Sequence, residues 1–217
     1  MGIPVIIYGK SGSGKSRSMK FFDEDEIMLI NTEGKTLPFK KTFKMKGRSD
    51  DIDKIIEWIK EMPCKVAVID DAGYLMTHHF MSNHRQKKGN ASFDMYDDIA
   101  DKMYFLVKRI KEEVEEDKII YIMLHEDVDD YGNTKLRTIG RLIDNKVCLE
   151  GMVTICIRCM SDNGKHFFYT QTKGNDITKT PEDMFVDAEI ENNLKFVDTA
   201  IRDYYGMRET DAERNKT

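Results

Sequence analysis

The sequence is short of the residues that define several protein classes. Four prolines and 14 glycines in 217 residues argue against collagenous and low-complexity chains. Four cysteines are few for this length, so no disulfide scaffold is expected. No run approaches the roughly 18 consecutive apolar residues of a membrane-spanning helix. The opening segment, MGIPVIIYGK, lacks the basic-then-apolar layout of a signal peptide, and Ile6 stands where a myristoylation signal needs Ser or Thr. Together these absences point to the cytoplasm, with reduced thiols and no membrane. Cys156 and Cys159 have metal-knuckle spacing, but no second pair accompanies them, and a strand through VTICIRCM would put them on opposite faces. The net charge of −5 argues against a chain that coats nucleic acid throughout, but permits a local basic patch.

What is present is a core-forming chain, 40% hydrophobic and 34% charged. Its length suits a single domain, expected over residues 1–206, followed by a disordered tail, 207–217, of sequence MRETDAERNKT. Apolar runs at Ile3–Tyr8, Ile27–Asn31, Lys65–Asp70 and Ile119–Leu124 predict buried strands. Helices are expected from about Lys15 to Phe22, from an N-cap at Asp50 to Glu61, and from Phe93 to Glu116. In the last, Met95, Ile99, Met103, Leu106, Ile110 and Val114 form one stripe. Residues 72–93 and 126–145 read as polar, irregular loops. Val147–Met160 and His166–Thr172 flank a glycine turn and predict an antiparallel hairpin, and 181–206 predicts helix. The expected fold is α/β, a mainly parallel sheet with helices on both faces and a C-terminal antiparallel hairpin.

One motif carries the chemistry. Gly9-Lys10-Ser11-Gly12-Ser13-Gly14-Lys15-Ser16 fits the phosphate-loop pattern of P-loop NTPases at every fixed position, between a predicted strand and a predicted helix. Glycines let the backbone approach phosphates closely, with N–H groups turned inward. Lys15 is the cation for the β- and γ-phosphates, and Ser16 offers its hydroxyl to Mg²⁺. The expected nucleotide-binding set is Gly9, Lys10, Ser11, Gly12, Ser13, Gly14, Lys15, Ser16 and the adjoining Arg17. ATP is the expected nucleotide, although no base-reading motif is legible.

The strand Val66-Ala-Val-Ile-Asp70-Asp71 ends in two acids. Asp70 is the expected metal acid, with Ser16. Two residues compete for the role of hydrolytic base: Asp71, and Glu33 at the end of IMLINTE. His125 ends the fourth strand, where a polar side chain would sense the γ-phosphate. The stretch Lys35–Arg48 carries Lys35, Lys40, Lys41, Lys44, Lys46 and Arg48 with no acid, and Phe39 and Phe43 between them. It suits either a nucleic-acid surface or a lysine-protected sheet edge.

A phosphate loop near the N-terminus, a VIDD strand, a strand ending in His125, a terminal hairpin, and the segment HEDVDDYGNTKLRTIGRLIDNKV follow one another in an order that resembles the compact RecA-like ATPases of bacteriophages. Those are described as single-strand-annealing or recombinase-like proteins, or as AAA-domain ATP-binding proteins. The resemblance covers about residues 3–175. It implies a magnesium-dependent ATPase acting on single-stranded DNA, working as a homo-oligomeric ring or filament in the host cytoplasm, with phage replication or recombination proteins as partners. It places the DNA-facing loops at 72–93, with His78, His79, His84, Arg85, Lys87 and Lys88, and at 126–145, with Lys135, Arg137 and Arg141. It also places Lys173 as the residue reaching a neighbour's γ-phosphate. The family often has two cations spaced by one residue there; this chain has Lys173 and then Asn175. Other readings of the same motif are an ATP-regulated switch or loader with a protein partner, and a nucleotide or small-molecule kinase.

Overall fold

The computed structural model describes residues 1–85, 91–140 and 142–207. Its centre is a nine-stranded sheet. The strands are β1 (Ile3–Gly9), β2 (Ile27–Asn31), β3 (Met45–Gly47), β4 (Val66–Asp70), β5 (Ile119–Val128), β6 (Thr134–Leu136), β7 (Ile155–Asp162), β8 (Lys165–Tyr169) and β9 (Glu189–Glu191). Their spatial order is β3-β2-β4-β5-β1-β7-β8-β9, with β6 paired to β5 outside this path. The run from β3 to β7 is parallel, and β8 and β9 add antiparallel strands at one edge. This is the architecture of a P-loop NTPase.

Alternation along the strands explains why both sheet faces are covered. Ile6, Ile30, Ile69 and Ile122 point into one apolar cluster, and Val5, Ile7, Val68 and Met123 into the other. The first cluster is roofed by α1 (Ile52–Glu61) and α3 (Ala91–Glu113), the second by α4 (Leu194–Tyr204). On α1, Ile52, Ile55, Ile56 and Ile59 form the buried stripe. Burying each such side chain stabilises the fold by about 1.5–3 kcal/mol. The carbonyls of Ile59 and Lys60, near the end of α1, accept from the buried Lys118 Nζ at 3.1 and 2.8 Å, a cation where the helix dipole favours one.

Several expectations change. The N-cap of α1 is Asp51, not Asp50; its carboxylate accepts from the amides of Asp53 and Lys54. The helix after β1 is a short 3-10 turn, Ser16–Phe21. The polar stretch 72–93 holds a helix, α2 (Tyr74–Asn83), which has no clean apolar stripe and buries only Leu75 and Met76. His125 does not end its strand, because β5 continues to Val128 and pairs with β6 as a hairpin. The strand expected from Val147 begins only at Ile155; Leu149–Met152 is a 3-10 turn entered through the left-handed Cys148. Helix in 181–206 is confined to α4, capped by Asn193, whose side chain accepts from the Phe196 amide. Cys156 and Cys159 face opposite apolar clusters. Lys87, Lys88, Arg141 and residues 208–217 lie outside the described residues. No described helix is long and apolar enough to cross a membrane.

Candidate functional site

The C-terminal ends of parallel strands are where an open α/β sheet collects ligand-binding loops, next to the strand at which connections diverge to opposite faces. Here β1 lies between β5 and β7, Gly9 of β1 is level with His125 of β5, and Asp70 ends the next strand along, β4. A cleft of about 450 Å³ opens over these ends. Gly12, Gly14, Lys15, Ser16 and Arg17 line it from the loop, and Asp70, Asp71 and His125 from the strand ends.

The loop is shaped by its glycines and by Lys15. The Lys15 ammonium, almost fully buried, donates to the carbonyls of Gly9 at 2.8 Å and Lys10 at 3.0 Å. Burial lowers its pKa, while Cys159, Asp71, Asp70 and Glu126 favour the charged form. Gly9 runs so close to β7 that a Cβ there would overlap the carbonyl oxygen of Cys159 and crowd the Ser13 hydroxyl. Gly14 has φ 106°, a conformation glycine adopts without strain, and a Cβ would meet the His166 ring at 2.7 Å.

The acids sit one strand beyond β5. Ser16 Oγ donates to Asp70 Oδ1 at 3.0 Å. Burial, reinforced by the neighbouring Asp71, raises the Asp70 carboxyl to about 6. Asp71 turns left-handed at φ 55°, which Asp tolerates better than most residues, and its amide donates to Asp70 Oδ1 at 3.1 Å. The Thr32 hydroxyl fixes this turn against the Asp70 and Asp71 carbonyls, at 3.0 and 2.7 Å. Asp71 Oδ2 accepts from Lys35 Nζ at 2.8 Å, while its Oδ1 lies 3.9 Å from His125 Nε2. Burial and the nearby Lys15 lower the His125 pKa and so favour the neutral ring, against the pull of Asp71.

A family model described as an AAA domain matches residues 1–181. The chain belongs to that family. It is an AAA-type P-loop ATPase, and the glycine loop with Lys15 is the part of this AAA domain suited to holding a nucleotide's phosphates. No curated protein matches the chain.

The AAA domain brings only some of the sequence-selected residues together. Glu33 does not line the cleft; its carboxylate pairs with His78 Nε2 at 3.0 Å, and Asp50 lies 3.3 Å from the other ring nitrogen. Lys173 does not line it either; its ammonium rests 3.7 Å from the centre of the Tyr169 ring. Three contributors carried no signal in the sequence. Lys35 reaches Asp71 from a segment that reads only as basic. His166 donates from Nδ1 to the Ser13 carbonyl at 2.8 Å, steadying the loop from β8. Arg158 holds Glu126, which favours the charged form of Lys15, through two hydrogen bonds of 2.9 and 3.1 Å, both side chains being mostly buried.

Gly9→Ala should displace the loop from β7. Backbone cannot yield as a side-chain tip does, so a stability loss of about 1–3 kcal/mol is expected, together with weaker nucleotide binding. Thermal denaturation with and without nucleotide checks both; an unchanged nucleotide-induced shift would show that the close approach is dispensable.

Proposed function

We propose that this AAA domain is a Mg²⁺-dependent ATPase acting on single-stranded DNA in phage recombination or annealing, with Asp71 as the hydrolytic base. The observation carrying the hydrolytic part is the grouping of Ser16, Asp70 and Asp71 beside Lys15 in one cleft. Ser16 Oγ and the Asp70 carboxylate are hard oxygen donors that suit Mg²⁺, an ion that takes few protein ligands. These two residues would hold it, and when bound it supplies charge neutralisation at the phosphates. Lys15 binds the β- and γ-phosphates, Asp71 accepts the proton of the attacking water, and neutral His125 beside it orients that water or senses the γ-phosphate. Glu33 is the poorer base because it does not line the cleft, where Asp71 does.

The DNA reading rests on the family resemblance and on where the exposed cations fall. Arg85 follows α2, and Arg137 lies next to the nucleotide cleft, its amide donating to the His125 carbonyl at 2.8 Å. A strand bound there would press on the same backbone that carries His125. Lys173 sits in an exposed segment, as a residue serving a neighbouring subunit of a ring or filament must. The test is ATP turnover with and without single-stranded DNA at two salt concentrations. Stimulation that fades with salt is expected. Turnover indifferent to DNA would overturn the DNA part and turn attention to protein partners and phosphate acceptors.

Asp70 gives this proposal a pH signature. Its folded value of about 6 lies above the ordinary 3.8, so the fold binds this proton more tightly than the unfolded chain does. The stabilisation is complete below 3.8 and is lost as pH rises through 6, by up to about 3 kcal/mol. Mg²⁺ needs the ionised carboxylate, so its apparent affinity should fall about tenfold for each pH unit below 6. Titrations of Mg²⁺ against nucleotide binding between pH 5 and pH 8 check this, with Asp70→Asn alongside; an Asp70→Asn chain with the wild-type Mg²⁺ affinity would remove Asp70 from the metal site.

A further inference from the structure

A second and larger cleft, of about 930 Å³, lies at the β3 edge of the parallel run, between segment 34–44 and β3. Its charge is lopsided. Of the cations in this stretch, Lys41 is committed to the carbonyls of Lys20 and Phe22, and Lys44 to Asp25 at 2.9 Å. Lys40, Lys46 and Arg48 are exposed, line the cleft and form no side-chain hydrogen bond or ion pair among the described residues, although the Arg48 side chain packs over Gly34. Glu24 is the acid on the lining. Phe39, braced edge-on against the buried Phe43 at 6.4 Å, adds an aromatic wall. Unneutralised cations beside an aromatic ring, here Phe39 with one side packed on the apolar core, are what a phosphodiester strand with stackable bases requires.

The two clefts also share residues. Lys35 and Thr36 line both. The Lys35 ammonium pairs with Asp71 and lies 4.7 Å from the centre of the Tyr74 ring. The turn that presents it is clamped by Asn31, whose side chain accepts from the Gly34 amide at 2.8 Å and donates to the Lys35 carbonyl at 2.6 Å. As long as Lys35 holds Oδ2, only the Oδ1 of Asp71 is left to face an attacking water.

We propose that the cleft over β3 binds single-stranded nucleic acid, and that its occupancy draws Lys35 off Asp71, so that strand binding releases the base. This rests on the single-stranded-DNA reading above and adds to it a site away from the two loops. An acidic peptide would satisfy the cations but would leave the aromatic wall unused.

The probe is a fluorescently labelled oligo-dT, followed by anisotropy across a salt series with the full chain. The triple variant Lys40→Ala, Lys46→Ala, Arg48→Ala removes side chains that form no hydrogen bond or ion pair among the described residues, and its melting temperature verifies the fold. It should bind about tenfold or more weakly, and its salt slope should be smaller by about two. Unchanged affinity and slope in the triple variant, with binding lost instead in Arg85→Ala, Arg137→Ala, would overturn the cleft and keep the DNA reading. A wild-type chain that does not bind oligo-dT would overturn both. Displacement of oligo-dT by poly-glutamate of equal charge, at equal concentration, would overturn the nucleic-acid assignment. For the link, Lys35→Met should raise DNA-independent turnover towards the stimulated wild-type rate and bring the stimulation ratio near one, whereas Lys35→Arg should keep the stimulation. Lys35→Met turnover that is lost, or is still stimulated as in the wild type, would overturn the link.

Discussion

Asp71→Asn is expected to lower ATP turnover by a factor of about 10²–10⁴, the usual contribution of a positioned base, with nucleotide affinity unchanged or higher. The amide matches the carboxylate in shape but accepts no proton. Asn also tolerates the left-handed backbone at this position, φ 55°, so the turn that presents Asp70 and residue 71 is retained. The ion pair with Lys35 is lost, but the Lys35 side chain is 54% exposed, and a pair of that kind contributes only about 0–1 kcal/mol. Removing a negative charge from a cleft that receives phosphates favours binding. The contrast between failed turnover and intact affinity therefore separates a base from a structural acid. Pre-steady-state hydrolysis together with equilibrium binding of a fluorescent ATP analogue reads both quantities. Equal turnover in the variant would return the role to another group.

Lys15→Ala should reduce turnover by about 10²–10³ or more, the cost of removing one preorganised stabiliser of developing charge, and should weaken nucleotide binding as well. The ammonium is held within its own loop by the Gly9 and Lys10 carbonyls. Its burial lowers its pKa, and phosphate oxygens alongside would favour the charged form again. Alanine also leaves two carbonyls short of a donor, so circular dichroism and melting must accompany the kinetics. A folded Lys15→Ala chain hydrolysing ATP at the wild-type rate would remove the loop from catalysis.

The parts of the site visible in the sequence are those with short-range signatures. Gly9 to Ser16 is a contiguous motif in which spacing carries the chemistry. Asp70 shows itself because four buried residues precede it on β4. His125 stands out at the end of the apolar run IIYIML, and it faces the cleft even though β5 runs three residues further. The missing parts meet across long separations. Lys35 and Asp71 are 36 residues apart, Ser13 and His166 153, and Glu126 and Arg158 32. Only the parallel order of the strands and the register of the β7–β8 hairpin bring them together. Helix α2 was hidden for a different reason. Tyr74 to Asn83 mixes apolar residues and histidines around the whole helix, so its sequence lacks the periodicity that revealed α1 and α3.

The most direct test of the central claim is steady-state ATP hydrolysis by the wild-type chain, measured with Mg²⁺ present and with Mg²⁺ chelated. If Ser16 and Asp70 hold the metal and Lys15 and Asp71 act on the phosphates and water, turnover appears with Mg²⁺ and disappears on chelation. Absence of turnover in the presence of Mg²⁺, or turnover that survives chelation, would contradict the assignment of this cleft as a magnesium-dependent ATPase site.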